Sequence, residues 1–394
     1  MHQDISTFRL VEVNSKKLAG EFLLLPVRLY KNDPNYIRPL DKDVEDVFNP
    51  SKNKFFRNGE CCRWLLYDSN GTAVGRVAAF IDHSSAKRND QPTGGLGFFE
   101  CIDLPAAANL LFDTCKRWLQ QRGMEAMDGP VNFGDRDRWW GLLVDGFSQP
   151  SYCVNYNFPY YRALFENYGF KNYFEQYTYY SPITTSGLSD EIHAKAERIF
   201  KNEHYRFVHI DRKQLTRFAE DFRTIYNKAW TKHAGVKEIS RAHAMALLNS
   251  VKPIMDEQLI WFAYFDDTPI AFFIMIPDIN PIIRKLNGRF NLLAKLRFLW
   301  YRQRKICRRA FGIIFGVIPE FQARGVEGAL VMSFAAIVDK PGFVYTELEM
   351  NWIGDFNPSM MKVAEQVGGK IFKTHITYRY LFDREKEFKR TWRL

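Results

Sequence analysis

The feature that most constrains this chain is that it repeats itself. Phe8-Arg-Leu-Val-Glu-Val-Asn-Ser-Lys-Lys-Leu18 is matched by Tyr205-Arg-Phe-Val-His-Ile-Asp-Arg-Lys-Gln-Leu215, at an offset of 197 residues. Each reads as a short alternating strand followed by a helix start, at Ser15 in one and after Asp211 in the other. The helices that follow are predicted over Leu18–Tyr30 and Gln214–Lys232. Arg63-Trp64-Leu-Leu-Tyr-Asp-Ser-Asn-Gly and Ile260-Trp261-Phe-Ala-Tyr-Phe-Asp-Asp-Thr keep the same offset, and each reads as a β-hairpin. Asn157-Phe-Pro with Leu164-Phe-Glu-Asn-Tyr-Gly-Phe170 is matched by Asn357-Pro with Val363-Ala-Glu-Gln-Val-Gly-Gly369, the offset having drifted to 199–200. Three matches in order predict two copies of one unit of about 190 residues, an ordinary domain size. A chain of 394 residues needs such a division, because one hydrophobic core stops growing at about 250–300 residues.

The expected domains are 1–184 and 185–394, joined through the turn-rich Ser181-Pro-Ile-Thr-Thr-Ser-Gly-Leu-Ser189, with a helix from Asp190 to Asn202 leading into the second. Each copy reads strand, helix, helix, strand, turn, strand, strand, helix, strand, helix, strand. Early hairpins and later helical crossovers give an α/β (α+β) class, a mixed, mostly antiparallel sheet flanked by helices.

Composition narrows the function classes. With 46% apolar and 25% charged residues the chain has the make-up of a packed globular protein. No stretch reaches the ~20 apolar residues of a membrane span, and Met1-His2-Gln3-Asp4 lacks a signal-peptide pattern, so the expected address is cytoplasmic. The six cysteines form no CxxC pair and none has a histidine at ligand spacing, so no metal is expected and the thiols read as free.

The second copy resembles the GNAT, or acyl-CoA N-acyltransferase, superfamily. The residues that carry the resemblance are Phe311-Gly-Ile-Ile-Phe-Gly-Val-Ile-Pro-Glu-Phe-Gln-Ala-Arg-Gly-Val-Glu-Gly-Ala-Leu330, similar to that family's central strand, pyrophosphate loop and following helix. Of the loop signature Gln/Arg-x-x-Gly-x-Gly/Ala, Gln322, Arg324 and Gly325 fit. The final position is Glu327, and Gly328 and Ala329 follow one place late. The physical basis is an uncapped helix start whose amides and dipole attract anionic phosphate. A carboxylate at Glu327 is welcome at a helix N-terminus and repels phosphate. The resemblance implies acetyl-CoA or a longer acyl-CoA as co-substrate, held by Val317, Ile318, Gln322, Ala323, Arg324, Gly325, Val326, Gly328, Ala329 and Asn357. The backbone amides of Val317–Ile318 would polarise the thioester carbonyl. Glu347, on the next strand, and Glu320, beside the loop, are the candidate bases for deprotonating an amine. The tyrosine that the family often supplies from its late helix has no counterpart at Val363-Ala364.

At the equivalent loop the first copy reads Phe98-Phe-Glu-Cys-Ile-Asp-Leu-Pro-Ala-Ala-Ala-Asn109, with no glycine and no basic residue, so no cofactor is expected there. It has instead an insertion, Gly129 to Phe147, absent from the second copy. With Tyr152, Asn155, Asn157, Tyr160 and Tyr161 this insertion reads either as a polar-aromatic substrate pocket, for which Asn132, Trp140, Asn157 and Tyr160 are the candidates, or as a loop whose Trp139 and Trp140 plug an interface.

Charge is concentrated. Between Ile279 and Pro319 there is no acid and there are ten of the 55 Lys and Arg, and the other 45 balance 45 Asp and Glu. Leu292, Leu293, Leu296, Leu299 and Trp300 of this window share one helical face. Residues 284–309 therefore read as a helix that lies on an anionic membrane surface, binds tRNA through its phosphates, or docks on its own protein. The expected function is acyl transfer from an acyl-CoA to a small-molecule amine. The alternatives are an aminoacyl-tRNA-dependent transferase of the Fem type and an inactive GNAT-like ligand-binding or scaffold protein.

Overall fold

A computed structural model describes residues 8–87, 91–135, 137–184, 190–230 and 238–390. The chain divides into two compact units, and they are not two consecutive blocks. One holds the described residues up to Gln176 together with Ile282–Trp300 and the chain from Lys373. The other holds Tyr177–Pro281 and Tyr301–Phe372. The boundary expected at 184/185 falls at the edge of 185–189, which lie outside the described residues.

The first unit begins with β1 (Arg9–Glu12), α1 (Lys16–Leu29), α2 (Asp41–Val47), β2 (Gly59–Tyr67), β3 (Ala73–Asp82) and β4 (Thr93–Cys101). It continues with α3 (Pro105–Gln120), β5 (Ala126–Gly129), β6 (Leu142–Asp145), α4 (Tyr161–Tyr168) and β7 (Lys171–Pro182), the last divided between the units after Gln176. Ser15 caps α1 by accepting the Leu18 amide at 3.3 Å, as its position before an apolar-periodic run requires. β3 is buried from Ala73 to Ile81 and reads as a continuous apolar run broken only by Gly75 and Arg76, the pattern of a central strand.

The second unit repeats that succession. It has α5 (Asp190–Phe200), β8 (Tyr205–His209), α6 (Leu215–Trp230), α7 (Arg241–Val251), β9 (Ile260–Phe265) and β10 (Thr268–Pro277). Then α8 (Asn280–Leu286) and α9 (Leu292–Gln303) interrupt it before β11 (Arg309–Val317), α10 (Val326–Ala335), β12 (Glu347–Gly354) and α11 (Pro358–Gln366). The last strand, β13 (Lys370–Leu381), runs into the first unit from Lys373. There it pairs antiparallel with β5, from Tyr378↔Gly129 to Leu381↔Ala126. The pairing is locked by a bidentate ion pair of Arg379 with Asp128 at 2.6 and 2.8 Å, both side chains buried, and the Arg379 guanidinium lies 3.6 Å over the Tyr173 ring.

Both units share one local device. β4 carries a bulge, with the β3–β4 register slipping between Arg76 and Ala78, and Phe98 takes φ +52° there. β11 is bulged against β10 between Ile274 and Met275. Each bulged strand then pairs parallel with its other neighbour for a few residues only: Thr93↔Ala126 to Gly95↔Asp128 in the first unit, Arg309↔Glu347 to Gly312↔Met350 in the second. The partners part into a fork beyond Gly312 in the second unit and beyond Gly97 in the first, where the Val131 amide still donates to the Leu96 carbonyl at 2.8 Å, and a helix starts just past each bulged strand.

Candidate functional site

In the second unit the fork opens along Ile313–Val317, and the loop to α10 lies at its open end. Val317 and Ile318 are buried. The Ile318 amide donates to the Ile270 carbonyl at 2.9 Å, so it is committed to β10 and is not free to polarise a ligand carbonyl. Backbone N–H groups alternate along a strand, so the Val317 amide faces the fork. The Gln322 side chain donates to the Val317 carbonyl at 2.9 Å and ties the loop to the strand end. Ala323 at φ +58° and Gly325 at φ +96° turn the chain into α10. A side chain at 325 would be strained by that φ, and its Cβ would come 2.9 Å from the Lys195 Cβ on α5. Only glycine suits both conditions.

No side chain caps α10, and its first internal bond runs from the Ala329 amide to the Gly325 carbonyl. The amides of Val326, Glu327 and Gly328 therefore form the orphan set at a helix start. These groups fit a diphosphate. The competing feature is Glu327, whose Oε1 accepts the Ala323 amide at 3.3 Å and so lies within the loop that would receive the anion. Arg324 extends over Phe321, 5.5 Å from the ring centre.

The two expected bases are placed very differently. Glu347 pairs with Arg309 in the ladder, at the closed root of the fork, and its Oε2 accepts from Arg309 Nε at 3.1 Å. Glu349, two residues on and fully buried, accepts from Arg309 Nη1 at 2.8 Å. Burial works against the Arg309 charge, and the carboxylates of Glu349, Asp278 and Glu347 outweigh it and raise its pKa. Glu320 lies at the open end, exposed, in the short turn Pro319–Phe321. Asn357 serves the helix after β12. Its Oδ1 accepts the Met360 amide at 3.2 Å as the N-cap of α11.

The first unit has the same fork with its slot filled. Tyr161, at the start of α4, accepts the Cys101 amide at 3.0 Å, and Tyr160 donates to the Cys101 carbonyl at 2.7 Å. Below them sits Glu100, buried on β4. It accepts from Tyr30 at 2.7 Å, from Tyr161 at 2.8 Å and from Arg76 Nη2 at 3.3 Å. Burial raises the Glu100 pKa against the pull of Arg76. Burial, then the Glu100 charge, raise those of Tyr30 and Tyr161. The sequence does not announce this group, since Phe98 reads as the start of the phosphate-loop equivalent, whereas β4 runs on through Cys101. The usable signal was a lone carboxylate between Phe99 and Cys101 in an apolar strand, since a buried acid requires partners.

The insertion does not form the expected open pocket at the named residues. Asn157 is buried and spends its amide on Leu143, accepting its N–H at 2.8 Å and donating to its carbonyl at 3.0 Å. Trp140 is buried with its ring 4.6 Å from that of His375. Tyr160 is engaged by Cys101 as described. Asn132 is half-buried, and its Oδ1 has no hydrogen-bond partner among the described residues. His375, fully buried, meets the Asn155 carbonyl through Nε2 at 3.1 Å, and burial pushes its pKa down to about 3.

Among solved structures, a tandem GNAT protein from the clavulanic acid biosynthesis pathway superposes over 96% of this chain and 100% of its own, with a TM-score of 0.55 at 10% identity. The chain has the tandem GNAT fold. In that fold the bulged strand, the fork and the following helix are the parts that the second unit keeps open. No family model matches the sequence. Two curated proteins are similar over nearly full length. The bacterial ceramide synthase of Caulobacter vibrioides is 29% identical over 93% of this chain and 96% of its own. Protein YghO of Escherichia coli is 26% identical over 91% of each.

Proposed function

We propose that this GNAT-fold chain is an N-acyltransferase that moves an acyl group from a coenzyme A thioester to the amine of a long-chain amino alcohol, and that the second unit holds the thioester. The observation that carries the reading is the open fork of β11 and β12, ending at the uncapped start of α10. Support for the acceptor class comes from the similarity to a ceramide synthase, since a ceramide is the amide of a fatty acid and an amino alcohol.

In this reading the α10 amides and Arg324 bind the diphosphate. The Val317 amide donates to the thioester oxygen as charge develops on it. The amine nitrogen attacks the thioester carbon, the C–N bond forms and the C–S bond breaks. The amine loses a proton and the departing thiolate takes one up. Glu320, at the open end, receives the amine proton through water. Glu347 and Glu349 hold β12 against Arg309 and take no part in proton transfer.

Purified protein incubated with palmitoyl-CoA and a long-chain amino alcohol is expected to release free thiol and form the amide, read by a thiol reagent and by mass spectrometry. Neither signal at any acyl length would remove the proposal. Glu327 in the anion loop favours a second reading, a GNAT-like protein that binds its ligand without turnover. Coenzyme A binding with no amide formed is its signature.

A further inference from the structure

The window from Ile279 to Pro319 that carries the chain's whole basic excess folds into α8, a turn and α9 before it enters β11. The part from Ile282 to Trp300 packs with the first unit. The Gly288 carbonyl accepts the Asp41 amide at 2.8 Å, and Arg284 donates to the Pro34 carbonyl at 2.9 Å. Gly288, at φ +79°, lies so close to Arg38 that a Cβ would come 2.3 Å from its Nε. The base of α9 is thus fixed on the protein.

The outward face of α9 is apolar. Ala294 and Phe298 point inward and are buried. On the opposite side Leu292, Leu293, Leu296, Leu299 and Trp300 are between 49% and 74% exposed. At about 100° per residue these five fill an arc of about 120°, centred opposite Phe298. Lys295 and Arg302 lie along one border of that arc and Arg297 along the other. Exposed leucines scattered over a surface are ordinary, but five large apolar side chains on one rigid helix are a docking patch.

We infer that α9 is an interfacial anchor that lies on an anionic phospholipid bilayer, its leucines and Trp300 entering the headgroup–acyl boundary and its lysine and arginines meeting lipid phosphates. Charge complementarity selects this occupant. A patch bordered by cations on both sides, in a 41-residue window with no acid, matches a surface that is negative at its headgroups and apolar beneath. Nucleic acid would satisfy the cations and leave the leucines in water. No helix among the described residues is long and apolar enough to cross a membrane, so the contact is with one leaflet. This inference does not depend on the acyltransferase reading, because binding to vesicles requires no turnover.

The test is flotation of the full chain with vesicles of phosphatidylcholine containing about 30 mol% phosphatidylglycerol, against phosphatidylcholine alone. The wild type is expected to float with the anionic vesicles, and less so at about 0.5 M salt. L292Q/L296Q/L299Q is expected to lower partitioning at least about tenfold on both vesicles. K295Q/R297Q is expected to lower it several-fold on the anionic vesicles only. Both variants change exposed side chains and are expected to keep the wild-type melting temperature. A wild type that does not float, or a leucine variant that floats equally well, overturns the inference. So does light scattering that shows a dimer dissociated by the leucine changes, or tRNA binding abolished by them.

Discussion

Replacing Glu327 by glutamine tests how the second unit holds an anion. Glutamine keeps an oxygen that can accept the Ala323 amide, now 3.3 Å from Glu327 Oε1, and removes only the charge. A diphosphate bound at the α10 amides would bring about two negative charges to within about 5 Å of that carboxylate. At the dielectric of water each such pair costs about 0.8 kcal/mol, so about 1.6 kcal/mol in all. Screening with a Debye length of about 8 Å at physiological salt reduces this to about 1 kcal/mol. E327Q should therefore bind coenzyme A about fivefold more tightly at physiological salt and about tenfold at low salt, measured by titration calorimetry. The same change removes a favourable charge from a helix N-terminus, so the free protein should lose about 0.3–1 kcal/mol of stability. Tighter binding with lower intrinsic stability is a combination that general loosening of the loop does not produce. If E327Q binds coenzyme A no more tightly than the wild type, or if its gain is the same at low and high salt, the diphosphate is not at α10.

Other expectations bear on the rest of the structure. Y161F leaves the buried Cys101 amide without its acceptor and takes one donor from Glu100, and should cost about 2–4 kcal/mol in denaturant unfolding. R379M strands the buried Asp128 carboxylate between β5 and β13, and should cost about 3–5 kcal/mol by the same measurement. His375 is held neutral, its pKa about 3 against about 6.5 when unfolded. The stability this gives is present above about pH 6.5 and is lost as the pH falls from there toward 3, about 2 kcal/mol by pH 5. H375Q should show a correspondingly smaller fall in melting temperature between about pH 7.5 and pH 5, and an unchanged fall would show that His375 is not the group responsible.

The matched segments make the element succession legible because strand and helix periods persist where residue identity does not. The hairpins at Arg63 and Ile260, the capped start at Ser15 and the strand before α10 follow from local pattern alone. Which sheet a strand joins does not. The run from Ile371 to Leu381 reads as a strand in sequence, but only the structure shows Tyr378–Leu381 paired with β5, since apolar alternation carries no information about the partner. The amphipathic helix within residues 284–309 was equally visible. Its orientation was not, because Ala294 and Phe298 are too few to mark a buried face against five larger apolar residues. For the site, the resemblance points to the loop at Gln322 and Gly325, and the tight turn there follows from the glycine. Where Glu347 and Glu320 lie along the fork is not legible in the sequence, because it depends on where two strands part, at Gly312 and Met350.

The two forks differ in what α4 and α11 present to them, and this explains an absence in the second. In the first unit, Tyr160 and Tyr161 bring hydroxyls to the backbone of Cys101 and satisfy both its N–H and its carbonyl. A thioester entering there would have to displace two hydrogen bonds and expose Glu100 and Arg76, a buried ion pair whose opening is costly. In the second unit, the positions that match Tyr160 and Tyr161 at the offset of 199 are Ser359 and Met360, and Ser359 is exposed. Among the described residues, the side chain that hydrogen-bonds the strand end at Val317 is Gln322, on its carbonyl side. A tyrosine hydroxyl reaching Val317 from the start of α11 would have competed for the same amide that a ligand needs. With Ser359 and Met360 at these positions the second unit has no tyrosines to fill its slot as Tyr160 and Tyr161 fill the first. In the proposed mechanism the leaving thiolate takes its proton from water at the open end, where Glu320 is exposed, and E320Q should lower kcat and flatten its rise with pH while leaving coenzyme A affinity unchanged.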